Sequence, residues 1–264
     1  MNGPRPRKRL GQHFLHDRNV IAKILRAIAP LPGQRFVEIG PGTGALTEPL
    51  LGAGVEVTAI ELDRALAAGL SARLRTPALR VVQADALRFD FAKLPGRVWR
   101  LAGNLPYNIS TPLLFHLLEH SERFADLHLM LQKEVVDRIV AGPGSKAYGR
   151  LSVALAVRCR AEPLFRIAPG AFRPPPKVES AFLRLVPDRS LADRIDDRRG
   201  FDELLRRAFS LRRKQLANSL APLLPPRDIR ALGIDPKARP ETLAPEQFVA
   251  LANASAARGR RPPG

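Results

Sequence analysis

Between residues 35 and 131 short apolar runs alternate with segments whose apolar positions recur at helical spacing. Runs at 35–39, 56–61, 79–83, 99–102 and 127–131 read as buried strands. The stretches at 46–51, 64–74, 111–120 and 133–140 read as helices. Before them, residues 20–28 carry a helical pattern that a Pro/Gly turn at 30–33 closes. Strands alternating with helices in this way predict a doubly wound parallel sheet, an α/β fold. Past a Gly/Pro loop ending near Ser145 the rhythm changes. Residues 164–167 and 181–186 are strand-like and separated by a proline-rich loop with no room for a crossover helix, so they are expected as an antiparallel hairpin at one sheet edge.

A segment rich in Asp and Arg and poor in apolar residues, 187–199, reads as a linker. Helical periodicity resumes over 201–220 and again over 245–257. The organisation predicted is one α/β domain over 1–189, with a basic N-terminal arm, and a small helical domain over 190–264.

Composition adds a partner. The 264 residues hold 43 Lys and Arg against 25 Asp and Glu, a formal net charge of +18. A G- and C-rich genome would explain arginine over lysine, but not basic over acidic; the surplus points to a polyanion such as nucleic acid. The single cysteine, Cys159, excludes an internal disulfide and a cysteine-rich zinc site, and its apolar, helix-like setting suggests a buried structural thiol. No apolar run approaches bilayer-spanning length, and no secretory signal pattern follows Arg5–Arg9, so a cytoplasmic protein that does not enter membranes is expected.

Two motifs carry the chemistry. Glu38-Ile-Gly40-Pro-Gly42-Thr-Gly44 follows the first sheet strand, where glycines let the backbone approach a ligand. Glu61, about twenty positions on, ends the next strand and can accept from both ribose hydroxyls. Asp85, in Gln83-Ala84-Asp85-Ala86, would accept from an adenine amine, with the Ala86 amide for a ring nitrogen. Together these resemble the S-adenosylmethionine site of seven-stranded methyltransferases. The second motif, Asn104-Leu105-Pro106-Tyr107, suits a planar amine. The Asn104 side-chain carbonyl and the Leu105 backbone carbonyl, with the loop direction set by Pro106, would take its two hydrogens, and Tyr107 would stack on the ring. Phe172, on the stiff loop 172–177, is expected to close over the opposite face.

With these residues the chain resembles the KsgA-type ribosomal RNA adenine-N6,N6-dimethyltransferases. The likeness runs from Lys8-Arg-Leu-Gly-Gln-His-Phe-Leu15 through both motifs to Tyr148-Gly-Arg-Leu-Ser152, Phe172 to Ser180 and Arg212-Arg-Lys214. It implies a Rossmann-like class I S-adenosylmethionine-dependent methyltransferase sheet of seven strands with the last hairpin antiparallel. It implies S-adenosylmethionine as donor, held by His13, Leu15, Gly40, Glu61, Asp85 and Asn104. It also implies dimethylation of two adjacent adenines in the 3′-terminal hairpin loop of 16S rRNA during small-subunit assembly. Many members carry Asn where this chain has His13, which puts cofactor affinity and its pH dependence in question. Arg212, Arg213 and Lys214 are read as rRNA phosphate contacts, and monomeric action is expected.

His116-Leu-Leu-Glu-His120 lacks the Glu directly after the first His that zinc proteases use, so no metal is expected there. Gly142-Pro-Gly-Ser-Lys146 lacks phosphate-loop spacing. Two alternatives stay open: a dimethylase of large-subunit rRNA, and a non-catalytic RNA-binding assembly or transcription factor on the same fold.

Overall fold

The protein is described by a computed structural model covering residues 7, 11–96, 98–210 and 214–259. A seven-stranded sheet comprises β2 (Arg35–Ile39), β3 (Glu56–Glu61), β4 (Leu79–Gln83), β5 (Trp99–Asn104), β6 (Phe124–Gln132), β7 (Cys159–Ile167) and β9 (Ser180–Pro187), in the order β4-β3-β2-β5-β6-β9-β7. β2 is flanked by parallel neighbours, pairing Ile39 with Ile60 of β3 and with Gly103 of β5. β9 lies antiparallel against β6, with Gln132 opposite Ser180. The local pattern located these strands, and β2, β3 and β4 keep their predicted limits; β2 and β3 are buried along nearly their whole length, whereas β4, at the sheet edge, is half-buried.

The helices α1 (Arg18–Ile28), α2 (Thr47–Gly52), α3 (Arg64–Arg73), α4 (Ser110–Glu119) and α5 (Lys133–Ile139) follow the alternation. Their starts are chemically marked. Asp17 caps α1 by accepting from the amides of Asn19 at 2.8 Å and Val20 at 3.1 Å, and Asp63 caps α3 through the Ala65 amide at 2.9 Å. A core of Ile24, Phe36, Leu50, Val57, Met130 and Phe182 lies among these elements. Arg100 fastens β5 to β6 and to the end of α1: its guanidinium takes both oxygens of Asp126, at 2.8 and 3.0 Å, and donates to the Ile28 carbonyl at 2.7 Å.

The chain divides into two compact units, Met1–Val136 with Glu162–Pro187, and Asp137–Ala161 with Asp188–Gly264. The second contains α6 (Arg150–Ala156), α7 (Arg198–Ala208), α8 (Leu216–Ser219), α9 (Pro226–Ala231) and α10 (Pro245–Gly259). Within it the Tyr148 hydroxyl donates to the Leu243 carbonyl at 2.8 Å, Arg158 pairs with Asp202 at 2.9 Å, and Phe209 lies between the rings of Tyr148 and Phe248.

Two local expectations change, and one element is new. The helical run over 201–220 is not one helix: α7 ends at Ala208, where the Ser210 hydroxyl takes the Arg207 carbonyl at 2.7 Å and closes the turn. Cys159 is not helical but opens β7, because α6 stops at Ala156; burial pushes its thiol up to about 12, consistent with an inert core sulfur. A two-residue ladder, β1 (Phe14–Leu15) against β8 (Phe172–Arg173), had no local signal.

Candidate active site

The parallel strands deliver their C-terminal ends to one edge, where ligands bind in open α/β sheets. One cleft there, with a cavity of about 120 Å³, is lined by His13, Leu15, Gly40, Glu61, Asp85 and Asn104 and also by Leu105, Pro106 and Tyr107. A single water needs only roughly 10–15 Å³ on the same measure, so the space suits a many-atom ligand. All six residues expected at the cofactor, and all four of the Asn104–Tyr107 tetrad, thus meet at one surface although they come from five separate segments.

The glycine turn is shaped for close approach. Gly40 and Gly42 have φ of 66° and 57°, in the left-handed region that side chains rarely adopt, and a Cβ on Gly42 would stand 3.1 Å from the Phe14 ring. Glu61 is held rather than loose: its two oxygens accept from the Gly42 amide at 3.1 Å and the Asp63 amide at 2.9 Å. Burial raises its pKa, and those backbone donors pull the other way. Asp85 folds one oxygen back onto the Leu87 amide at 3.0 Å in a tight turn, which fixes the carboxylate at the strand end. Asp63 is buried beside Glu61 and pairs with Arg7 of the N-terminal arm at 3.1 Å.

Asn104 ends β5. Its Nδ2 donates to the backbone carbonyl of His13 at 2.8 Å. A carbonyl can only accept, so the amide orientation follows, and Oδ1 is the atom left to accept from a ligand. Leu105 is anchored to the sheet through its amide, 3.2 Å from the Met130 carbonyl. Tyr107 stacks against the His13 ring at 5.6 Å with 27° between planes, and its hydroxyl is hydrogen-bonded to Ser180. Burial raises the Tyr107 pKa, which keeps it a neutral phenol. The His13 Nδ1 lies 2.7 Å from the Pro174 carbonyl and so carries its hydrogen there.

Phe172 is not brought to this cleft. Strand side chains alternate, and pairing Phe172 with Leu15 turns its ring into the core, 1 % exposed, while Arg173 points out. Arg212 and Arg213 lie outside the described residues; Lys214 is exposed.

Two participants had no role in the sequence reading. Glu38 lines the cleft at 2 % exposure, its Oε2 accepting from the Thr47 hydroxyl at 2.6 Å. Burial, opposed by that hydrogen bond and reinforced by Glu61, raises its pKa to about 7. Its place at the head of the glycine motif was visible, but its burial was not. Ser180 carried no local signal at all, since its partner Tyr107 is 73 positions away.

The residues fit an S-adenosylmethionine-type cofactor: a backbone cradle that a Cβ would crowd, one carboxylate at the end of β3 for a diol, and another beyond β4 for an amine. Comparison with known proteins agrees with that fit. The model of the family described as "Ribosomal RNA adenine dimethylase" matches residues 3–257. The chain is 53 % identical over 254 residues to the ribosomal RNA small subunit methyltransferase A of Acinetobacter baylyi, covering 95 % of this chain and 93 % of that protein. The protein of the same name from Pseudomonas aeruginosa is 52 % identical over 252 residues, 94 % of each chain. Among solved structures, a dimethyladenosine transferase from Plasmodium falciparum superposes with a TM-score of 0.81 at 27 % identity, over 94 % of this chain and 98 % of that one. The 23S rRNA methyltransferase ErmE follows at 0.69 and 26 %, over 92 % and 99 %.

Proposed function

This chain belongs to the ribosomal RNA adenine dimethylase family, and from that premise we propose how its cleft carries out the reaction and on which particle. It is an S-adenosylmethionine-dependent rRNA adenine-N6,N6-dimethyltransferase of the small-subunit type. Its targets are two adjacent adenosines in the 3′-terminal hairpin loop of 16S rRNA, and it has a role in small-subunit biogenesis.

The observation that carries the mechanism is the hydrogen bond from Asn104 Nδ2 to the His13 carbonyl, which commits Oδ1 to accepting. Adenine N6 is a weak nucleophile because its lone pair is delocalised into the ring. Asn104 Oδ1 and the Leu105 carbonyl would accept its two hydrogens, drawing the nitrogen toward a pyramidal geometry and fixing its direction of attack. Tyr107, tethered by Ser180, offers its ring as a platform for the base, a contact worth about 1–3 kcal/mol. Gly40, Glu61 and Asp85 would hold the cofactor, which when bound supplies an electrophilic methyl on a sulfonium sulfur. Asn104 and Leu105 would hold N6 facing that methyl, and the proton N6 must shed on methylation could pass to water, so no strong general base is needed. Alignment is the main catalytic effect, worth up to roughly 7–11 kcal/mol. The base must be unstacked or flipped to reach the cleft.

The assembling small subunit is the substrate particle in this reading, with the enzyme acting as a monomer in the cytoplasm. The net charge of +18 supports a polyanionic partner, with Arg212, Arg213 and Lys214 as phosphate contacts. Among the described residues no helix is long and apolar enough to cross a membrane.

The test is transfer of labelled methyl groups from S-adenosylmethionine to unmethylated small subunits, followed by nucleoside analysis. N6,N6-dimethyladenosine in small-subunit rRNA, lost with Asn104→Ala, is the expected result. Label confined to large-subunit rRNA would overturn the target, and binding without transfer would overturn the enzyme reading.

A further inference from the structure

Away from the cleft, the described residues bring three metal-ligating side chains together at the end of α4. One donor atom each from His116, Glu119 and His120 lies within 4.8 Å of the others. We propose that these three residues form a binding site for a divalent transition-metal ion of the zinc class, separate from the methyl-transfer machinery.

Positions three and four apart on a helix share a face, so the two imidazoles and the carboxylate project over the same turn. His116 is already arranged as a ligand. Its Nε2 lies 2.8 Å from the Phe89 carbonyl, which can only accept, so Nε2 carries the hydrogen and Nδ1 presents its lone pair. A ligating histidine that donates its other N–H to a backbone carbonyl is the usual outer arrangement of a metal site. The free lone pair faces Glu119, with Nδ1 3.7 Å from Oε2. The rings are braced before any ion arrives: the fully buried Phe91 packs on His116 at 5.4 Å and on His120 at 5.8 Å, and the two imidazoles meet edge to face at 5.3 Å. The negative end of the α4 dipole adds attraction for a cation.

Two nitrogens and one oxygen suit zinc, nickel or copper rather than magnesium or calcium, which prefer all-oxygen sets. A tetrahedral ion with ligands at about 2.0–2.2 Å holds them roughly 3.3–3.5 Å apart. The Glu119 side chain, 70 % exposed, is free to make that adjustment by changing rotamer. Three protein ligands leave one position for water. The sequence pattern fails as a metalloprotease motif because no Glu follows the first His, but here the carboxylate is a ligand and not a base, so that objection does not apply. Ser110, which follows the tetrad, starts the same helix; at 1.5 Å per residue the site stands about 9–15 Å along the axis from it. The ion would fasten the Phe89 to Lys93 turn to α4 and take no part in methyl transfer.

Full-length protein stripped with a chelator is titrated with Co²⁺, followed by its visible absorption, and with Zn²⁺ in competition with a chromophoric chelator. One equivalent should bind, with the intense d–d bands of a four- or five-coordinate ion. His116→Ala and His120→Ala should each weaken binding at least about tenfold, the lower limit even for an outer-shell partner, and His16→Ala should leave it unchanged. Glu119→Gln, at an exposed position that leaves the fold intact, should also weaken it. No stoichiometric binding, or binding that persists in the His116→Ala/His120→Ala double variant, would overturn the proposal.

Discussion

The hydroxyls of Tyr107 and Ser180 share one hydrogen bond, which joins the loop after β5 to the first residue of β9. Ser180 is fully buried and paired with Gln132 in the sheet, so it cannot follow the tyrosine if the loop shifts. The bond therefore sets the tilt of the ring that the target base would meet.

Ser180→Ala removes that anchor at the cost of one hydrogen bond, about 1 kcal/mol, or roughly fivefold. We expect kcat/KM for small subunits to fall by about that factor in Ser180→Ala and in Tyr107→Phe. The double variant should be no worse than either single one, because both delete the same interaction. Steady-state kinetics on the four proteins checks this; independent, multiplying losses would show that the two hydroxyls act separately.

Asn104→Asp is nearly isosteric yet should abolish transfer. A carboxylate cannot donate to the His13 carbonyl and would face it as a second acceptor, so the side chain must turn away. We expect at least a hundredfold loss of rate, about 2.7 kcal/mol or more, with the melting temperature changed much less. Single-turnover methyl transfer measures the first and calorimetry the second.

Glu38 and His128 predict opposite pH dependences. His128 is fully buried on β6; burial, aided by Arg100 and Arg184 and opposed by Asp126, lowers its pKa to about 4. Its contribution is present above the ordinary value near 6.5 and is lost as pH falls toward 4. Glu38, raised to about 7, contributes fully below its ordinary value near 4.5 and loses that contribution as pH rises through 7. Each amounts to roughly 3 kcal/mol over its full range, and between 4.5 and 6.5 the two slopes cancel. Thermal melts from pH 4 to 8 should therefore be flat in the middle for the natural protein. Glu38→Gln, which can still accept from Thr47, should become acid-sensitive there, and His128→Leu should lose stability as pH rises. Unchanged curves in both variants would refute the assignment.

Gly103 is predicted to tolerate no side chain. A Cβ there would stand 2.8 Å from the Ile39 carbonyl, a backbone atom of the neighbouring strand that cannot swing aside. Gly103→Ala should cost about 1–3 kcal/mol or more, read as a lower denaturation midpoint, and should weaken transfer because Asn104 is the next residue.

Much of this was legible locally. Residues 35–39 and 56–61 were recognisable as strands because a parallel strand buried on both faces is mostly apolar and its ends must turn, and 79–83, half-buried at the sheet edge, still carries a short β-branched run. Once the alternation of strand and helix was read, topology alone required Gly40, Glu61, Asp85 and Asn104 to arrive at one sheet edge. Local pattern failed where the deciding partner was remote. Periodicity continued past Ala208, but α7 stops there and the chain turns through Phe209 and Ser210. Phe172 looked like a ring for the base until its pairing with Leu15 turned it inward.

The sequence by itself determined the fold class, the glycine cradle and the residue types of the site, because periodicity and turn chemistry are properties of neighbouring residues. Only the tertiary structure decided the orientation of the Asn104 amide, the anchoring of Tyr107, the burial of Glu38 and His128, and the turning of His116 toward Glu119. The two side-chain orientations depend on contacts with segments distant in the chain, 91 positions for Asn104 and His13 and 27 for His116 and Phe89, and the burials on how whole elements pack. Hydrogen-bond direction and desolvation are set by which surfaces meet, and no window of local sequence contains both.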